Sequence, residues 1–165
     1  VVSLIGESGS GKSTIGKMIL RLMPITAGTI TFEGTDISTL RGPAQKEYYR
    51  NVQGVFQDPF SSYNPIFKAD RIFKLIKESF FPKVGKAEWD RRVNHALESV
   101  GLNPPQVLDK FPHQLSGGQL QRLLIARALL LDVKFLVADE IISMLDASTR
   151  IDVLNLLADL KSQGL

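Results

Sequence analysis

The chain of 165 residues contains no cysteine. This absence excludes a disulfide framework and a thiolate metal site, and it fits a reducing cytosol. The chain also lacks any run approaching the roughly 18 apolar residues that cross a bilayer. Its best run, Leu123 to Leu131, is interrupted by Arg127. We therefore expect any association with a membrane to depend on a partner.

An excess of charge of one sign is absent as well. The net charge is only +3, and basic residues are scattered among acidic ones. This distribution indicates a solvated surface and disfavours nucleic acid as a partner. The hydrophobic content of 44% and charged content of 22% are those of a globular protein, and the length suits one domain.

Short apolar segments alternate with helical ones along the chain. Residues 1–5, 29–32, 51–56 and 135–138 are predicted strands, of which 1–5 and 135–138 are expected to be buried. A helix is expected after Lys12 and before Pro24, and others over 60–114, 116–131 and 148–163. The alternation predicts an α/β fold whose mostly parallel sheet is covered on both faces, with the helical middle as an inserted subdomain. The expected inward-facing residues are Ile15, Met18, Ile19, Leu22, Trp89, Val93, Ala96, Leu97, Val100, Ile151, Leu154, Leu157 and Leu160.

A glycine-rich loop lies between the first strand and the first helix. Gly6 to Ser13 fits the pattern G-x-x-x-x-G-K-[S/T]. Its glycines let backbone N–H groups point at phosphates, and the helix N-terminus adds partial positive charge. Lys12 supplies a cation to the β- and γ-phosphates, and the Ser13 hydroxyl is a ligand for Mg²⁺. A flexible linker has the same composition, but the flanking strand and helix favour nucleotide binding.

Polar groups follow two of the predicted strands. Asp139 and Glu140 come directly after 135–138, where ligands bind in open α/β sheets. Asp139 is expected to hold Mg²⁺ through its water shell, and Glu140 to orient or deprotonate the attacking water. Gln57 directly follows another predicted strand, and its amide could contact both the Mg²⁺ and the attacking water. Taken alone, an acidic pair after a strand is weak evidence, and Gln57 favours an ordinary polar loop. Together with Lys12 the acidic pair becomes strong evidence for a nucleotide site.

A second glycine-containing motif, Leu115-Ser116-Gly117-Gly118-Gln119, precedes a helix rich in apolar residues. Ser116 is a suitable N-cap, and the glycines leave the backbone open to a phosphate. From these residues alone an ordinary capped turn is the favoured interpretation.

Together the motifs resemble the ATP-binding cassette (ABC) ATPase family, in the family's order and over essentially the whole chain. The resemblance implies a P-loop NTPase (RecA-like) fold, with 1–59 and 132–165 as catalytic core and 60–131 as helical subdomain. It implies ATP and Mg²⁺ as cofactors, and a signature motif that binds the γ-phosphate held by the opposite subunit. In Ser143 to Asp146, Asp146 would report across the dimer. The resemblance implies Lys12, Gln57 and Glu140 as catalytic residues. It implies Ser13, Gln57 and Asp139 as metal ligands. The residues that it implies for nucleotide binding are Gly6, Glu7, Ser8, Gly9, Ser10, Gly11, Lys12, Ser13, Thr14, Gln57, Ser116, Gly117, Gly118, Gln119 and Asp139.

Residues 57–65, together with Phe111-Pro112-His113, resemble the ATP-binding subunits of bacterial and archaeal dipeptide/oligopeptide (and nickel) importers. This branch implies ATP hydrolysis coupled to uptake. It also implies a second ABC ATPase subunit, transmembrane permease subunits and, indirectly, an extracytoplasmic solute-binding protein as partners. The expected location is the cytoplasmic face of the cell membrane.

The chain departs from the family pattern in three places. Ile141-Ile142 follows Glu140 where family members usually carry Pro-Thr or Pro-Val. The switch histidine has no match, because His95 and His113 both precede Glu140. The aromatic residue that stacks on adenine in family members has no match in this sequence either. We therefore expect the natural polypeptide to continue in both directions.

Two other functions remain open at this stage. A soluble ABC ATPase acting on DNA or ribosomes shares the motifs, but coiled coils, a basic linker and a strong positive charge are absent. A non-catalytic nucleotide sensor is disfavoured by the acid at Glu140. A G-protein is excluded because no Asn-Lys-x-Asp motif is present.

Overall fold

Helices and short strands alternate over residues 2–131, 133–142 and 147–162, which the computed structural model describes. Short 3₁₀ helices lie at Ile37–Thr39, Phe60–Ser62 and Pro112–Gln114. Among the helices of these segments, none combines the length and apolar character of a membrane span. The main elements are α1 (Lys12–Ile19), β1 (Thr31–Phe32), β2 (Thr35–Asp36), α2 (Gly42–Asn51), β3 (Val52–Val55), α3 (Arg71–Phe80), α4 (Lys86–Ser99), α5 (Pro104–Val107), α6 (Gly117–Leu129), β4 (Phe135–Ala138) and α7 (Ala147–Ser162).

The strands β3 and β4 form a parallel pair. Val52 is opposite Phe135 and Val55 is opposite Ala138. The pairing continues past the strands, since the Asp139 N–H donates to the Val55 carbonyl at 3.0 Å. The predicted strand over 135–138 is confirmed, and the one over 51–56 is confirmed at Val52–Val55, since Asn51 ends α2. The expected burial of 135–138 is wrong at both ends, where 45% of Phe135 is exposed and Ala138 is exposed as well, because within the described segments β4 pairs with β3 alone.

The strands β1 and β2 form a separate antiparallel hairpin. Glu33 and Gly34 both have positive φ, 49° and 78°, as a two-residue type I′ turn requires. The predicted strand over 29–32 is confirmed only at Thr31–Phe32. It is shorter than expected because Ile37, the residue opposite Ile30, already begins a 3₁₀ helix, in which its carbonyl accepts from the Leu40 N–H.

The predicted buried strand over residues 1–5 is wrong in its described part, residues 2–5. These residues form no strand, and 95% of Ile5 is exposed. A strand needs a neighbour that completes its ladder of backbone hydrogen bonds. The strand β4 finds that neighbour in β3. Val1 lies outside the described residues.

Helix α1 is shorter than its apolar pattern predicts. It ends at Ile19, and Arg21 follows with a φ of 56°. The hydrophobic residues Ile15 and Leu22, expected on the inner face, are exposed. The expectation that the helix continues to Pro24 is therefore wrong.

Small residues allow α1 to lie close to the β3–β4 pair. A Cβ added at Gly16 would lie 3.0 Å from Val137 Cγ1 on β4. A Cβ added at Gly54 on β3 would overlap Leu20, which directly follows α1. The backbone of α1 therefore lies against a side chain of β4, and the side chain of the residue after α1 lies against the backbone of β3.

The helices α3 to α6 share one apolar cluster. The expected inner face of α4 is confirmed, since all five of its predicted residues are buried. Gly101 has a φ of 68° just beyond α4, and its carbonyl accepts from Arg122 Nη1 on α6 at 3.4 Å. A C-terminal carbonyl of one helix is thus satisfied by a side chain of its neighbour. The five buried residues that were predicted for the inner face of α4 are Trp89, Val93, Ala96, Leu97 and Val100.

Helix α7 packs with a face that includes the predicted Leu157 but neither Ile151 nor Leu154. Val153 is fully buried, whereas Ile151 is 60% and Leu154 is 49% exposed. Val153 and the partly buried Leu157 lie four residues apart, on one side of the helix. The prediction failed because apolar residues occur nearly all around this helix, so periodicity alone could not select a face. The predicted contact of the Leu160 side chain and the motif at 143–146 lie outside the described residues.

We predict that Gly16→Ala lowers the free energy of unfolding. The added Cβ would meet the stiff side chain of Val137 at 3.0 Å. This overpacking costs about 1–3 kcal/mol, only partly offset by roughly 1 kcal/mol of helix propensity. Urea denaturation measures the change.

Gly85→Ala is the matched control, because a Cβ there meets nothing within 4 Å and the backbone φ is −62°. This variant should be neutral or stabilised by about 0.4–1 kcal/mol. Equal stability of the two variants would show that α1 does not depend on close approach to β4.

Candidate functional site

The loop of residues 6–11 curves around the ammonium group of Lys12. Lys12 Nζ donates to the carbonyls of Gly6 and Glu7, both at 2.7 Å, and lies 3.4 Å from Ser10 Oγ. Gly11 has a φ of 92°, a conformation that a side chain disfavours. The cation therefore lies within the curve of the loop, where an anionic ligand would gain most from it.

The predicted phosphate-binding residues follow the loop into α1. A Cβ at Gly6 would lie 2.7 Å from Ser10 Oγ, so the loop is closed too tightly for a larger residue there. Ser13 and Thr14 occupy the first turn of α1 and are exposed. Their hydroxyls are thus carried by the helix end that has partial positive charge.

Gln57, Asp139 and Glu140 leave the sheet at one edge. The strands β3 and β4 are parallel and in register, so the residues that follow them meet at the carboxyl ends of the pair. Gln57 and Glu140 are exposed, and Asp139 is half-buried. The sequence-based expectation that these three groups lie at one edge agrees with this register.

Glu140 has a left-handed backbone with a φ of 48°. Such a conformation is unfavourable for a residue with a Cβ and persists only when its surroundings hold it. The next residue, Ile141, is buried in the cluster of the helical segment. The departure from the family pattern at 141 thus places a buried apolar side chain directly after the predicted catalytic acid.

The phosphate loop lies near this edge because of α1. Gly16, against Val137, is one helical turn, about 6 Å, beyond Lys12. Asp139 follows Val137 by two residues. The Ser13 hydroxyl, the Gln57 amide and the Asp139 carboxylate provide the hard oxygen donors that Mg²⁺ prefers, so the residues present fit this ion.

The signature turn is a capping box at the start of α6. Ser116 Oγ accepts from the Gln119 N–H at 3.2 Å, and Gln119 Oε1 accepts from the Ser116 N–H at 2.9 Å. Sequence reasoning identified Ser116 as N-cap but did not identify this role of the Gln119 side chain. The half-buried Gly117 also lies against the loop that carries Gln57, since its added Cβ would be 3.6 Å from Phe60 Cε2.

Buried polar groups on α6, which sequence reasoning missed, contact β3 and the segment after it. Gln121 is fully buried, and Arg127 Nη2 donates to the Gly54 carbonyl at 2.7 Å. The Tyr63 hydroxyl donates to the Leu120 carbonyl at 3.3 Å. Burial raises the pKa of Tyr63, and the nearby Arg127 opposes that shift. The available signal was that Gln121 and Arg127 adjoin the apolar residues Leu120 and Leu123–Ala126 of the same helix.

A family model described as ABC transporter matches residues 1–143. The chain belongs to this family. The α/β fold predicted from the alternation of strands and helices is confirmed, and the phosphate loop, the acidic edge and the signature turn all lie within the matched range.

Curated relatives of this ABC family chain share nearly half of its residues. It is 44% identical over 173 residues to the oligopeptide transport ATP-binding protein OppF of Streptococcus mutans, covering all of the chain and 54% of the relative. It is 46% identical over 163 residues to the dipeptide transport ATP-binding protein DppF of Lactococcus lactis subsp. cremoris, covering 97% of the chain and 52% of the relative. The chain thus spans about half the length of the curated relatives it matches.

Solved structures of ABC proteins have the same fold. The dimeric post-hydrolysis state of the ATP-binding cassette MJ0796, bound to ADP and Pi, superposes with a TM-score of 0.81 at 28% identity, over 96% of this chain and 68% of that one. The cbiO1 protein of Clostridium perfringens, part of the transporter complex cbiONQ, gives a TM-score of 0.77 at 26% identity, over 97% and 61%.

We predict that Tyr63→Phe changes how stability depends on pH. Burial raises the native-state pKa of Tyr63 above the ordinary phenol value of 10.0. The unfolded chain therefore loses this proton first, and the free energy of unfolding falls as pH rises above about 10, by at most about 1.4 kcal/mol per pH unit. The variant lacks this loss but also lacks the bond to Leu120, worth about 1 kcal/mol at any pH.

At pH 7 the variant should be the less stable protein, and above pH 10 the difference should shrink or reverse. Urea denaturation at a series of pH values measures both effects. A constant difference from pH 7 to pH 11 would contradict the burial of a neutral phenol.

Proposed function

We propose that this chain binds and hydrolyses ATP as the motor subunit of an ABC importer, and that the importer takes up peptides or, as the alternative cargo, nickel. The observation that carries the proposal is the arrangement at the sheet edge. The glycine-rich loop that surrounds the Lys12 ammonium group leads into α1, which lies against β4. Gln57, Asp139 and Glu140 follow the two parallel strands. ABC family membership supports the same assignment.

The chain's own residues divide the chemistry between binding and water activation. Lys12 exchanges its bonds to the loop carbonyls for bonds to the β- and γ-phosphates, while backbone N–H groups of the loop hold the remaining phosphate oxygens. Mg²⁺, held by Ser13, Gln57 and Asp139, supplies charge neutralisation when bound. Glu140 accepts a proton from, or orients, the water that attacks the γ-phosphate.

The signature turn acts on a second nucleotide. The capping box engages the N–H groups of Ser116 and Gln119, so the N–H groups of Gly117 and Gly118 are those that the start of α6 offers to an anion. In the proposed dimer this turn completes the phosphate site of the opposite subunit. The relative MJ0796 is described as dimeric, which supports this arrangement.

The cargo and the other partners follow from the relatives' names. The relatives OppF and DppF are oligopeptide and dipeptide transport ATP-binding proteins. We therefore propose permease subunits as membrane partners, a solute-binding protein outside the membrane, and a location at the inner membrane face. Selection of peptide over nickel would reside in those partners.

The decisive test is the oligomeric mass of Glu140→Gln with and without Mg-ATP. Loss of the water-activating carboxylate should slow hydrolysis by about 10²–10⁴-fold and let an ATP-bound dimer accumulate. Light scattering after size-exclusion chromatography measures the mass, and phosphate release measures the rate.

Two controls sharpen the result. Lys12→Ala combined with Glu140→Gln should abolish the dimer, because phosphate binding is lost. Glu98→Gln, which neutralises an exposed acid on α4, should behave as the unsubstituted protein. ATP binding without dimerisation of Glu140→Gln, or a dimer that forms equally without ATP, would contradict the proposal.

A further inference from the structure

The loop that carries Gln57 is held at its start by two side chains of α6. Arg127 Nη2 donates to the Gly54 carbonyl at 2.7 Å, and Gln121 Nε2 donates to the Phe56 carbonyl at 3.4 Å. Phe56 directly precedes Gln57. The backbone position from which the Gln57 side chain extends is therefore set by hydrogen bonds from α6.

The far end of the same loop is held by the same helix. The Tyr63 hydroxyl donates to the Leu120 carbonyl at 3.3 Å in a buried position. Between these ends, the ring of Phe60 faces Gly117 in the signature turn. We call residues 54–63, which comprise the end of β3 and the loop after it, the Gln57 loop. It contacts α6 from its signature turn to Arg127, over about 15 Å of helix length.

Gln121 is an unusual residue for its surroundings. It is 0% exposed, and the residues Leu120, Leu123 and Leu124 around it are equally buried. Its Oε1 atom is buried and has no hydrogen-bond partner among the described residues. An amide with an unsatisfied acceptor weakens a core that a methionine would fill without penalty. Packing therefore does not explain this glutamine, whereas its bond to Phe56 ties it to Gln57.

We infer that Gln121 and Arg127 are positioning residues that hold the Gln57 loop and the signature turn as one body. The inference rests on the proposed function, in which Gln57 holds the Mg²⁺ of its own nucleotide site and the turn at Ser116 completes the opposite site. Ser116 precedes Gln121 by five residues, about 7.5 Å along one helix. A shift of Gln57 on binding or loss of the γ-phosphate thus moves the turn that serves the second nucleotide.

The test compares Gln121→Met with the control Leu124→Met in the intact subunit. Methionine at 121 keeps the volume but removes both the donor to Phe56 and the unsatisfied acceptor. We expect its melting temperature to be unchanged or higher and its Kd for Mg-ATP to stay within about threefold, while kcat falls about tenfold or more. Leu124→Met, on the same buried helix, should keep kcat within about twofold.

A second pair of variants tests the other contact. Arg127→Lys keeps a cationic donor for the Gly54 carbonyl, whereas Arg127→Met removes it. The inference predicts that lysine restores most of the kcat that methionine loses. A merely structural role would instead lower the melting temperature of both variants and leave kcat per folded molecule unchanged.

The outcomes separate the two proposals. If the unsubstituted subunit hydrolyses ATP and Gln121→Met does so equally fast, the positioning role is wrong and the proposed function stands. The inference is also overturned if the loss of activity disappears at saturating Mg-ATP, because the variant would then differ only in its affinity for ATP. If the unsubstituted subunit binds no ATP, the proposed function fails and the inference fails with it.

Discussion

The packing of α6 against the end of β3 is the constraint on which the rest of the structure depends. Through Arg127 and Gln121 the helix bonds to backbone carbonyls of β3 and of the residue before Gln57. The strand β3 in turn fixes the register of β4, and therefore the position of Asp139 and Glu140 along the strand direction. One helix thus joins the core of the helical segment to the edge where we place ATP chemistry.

Much of this arrangement was predictable from the sequence because the local patterns are strong. The strand at 135–138 and the N-cap at Ser116 each follow from local side-chain patterns that favour one conformation. The phosphate loop was predictable for the same reason, since Gly11 must adopt a positive φ before a helix that starts with Lys12. The placement of Gln57 and Asp139 after the carboxyl ends of neighbouring strands followed from the parallel arrangement of the strands.

What the sequence could not predict depends on contacts between distant segments. Residues 2–5 have no pairing strand in the described segments, which leaves Ile5 exposed, and the buried face of α7 follows from what Val153 contacts. Neither property is visible in local periodicity. The role of Gln121 was missed for a related reason, because a glutamine in a helix indicates a solvated face until its surroundings are known.

The central claim is that Gln121 acts through Gln57, and a double-mutant cycle on kcat tests it most directly. The variants are Gln57→Ala, Gln121→Met and their combination, measured at saturating Mg-ATP. If the hydrogen bond to Phe56 serves to position Gln57, the double variant should be within about twofold of Gln57→Ala alone, since little remains to be positioned. A double variant whose loss of kcat equals the product of the two single losses would contradict the claim.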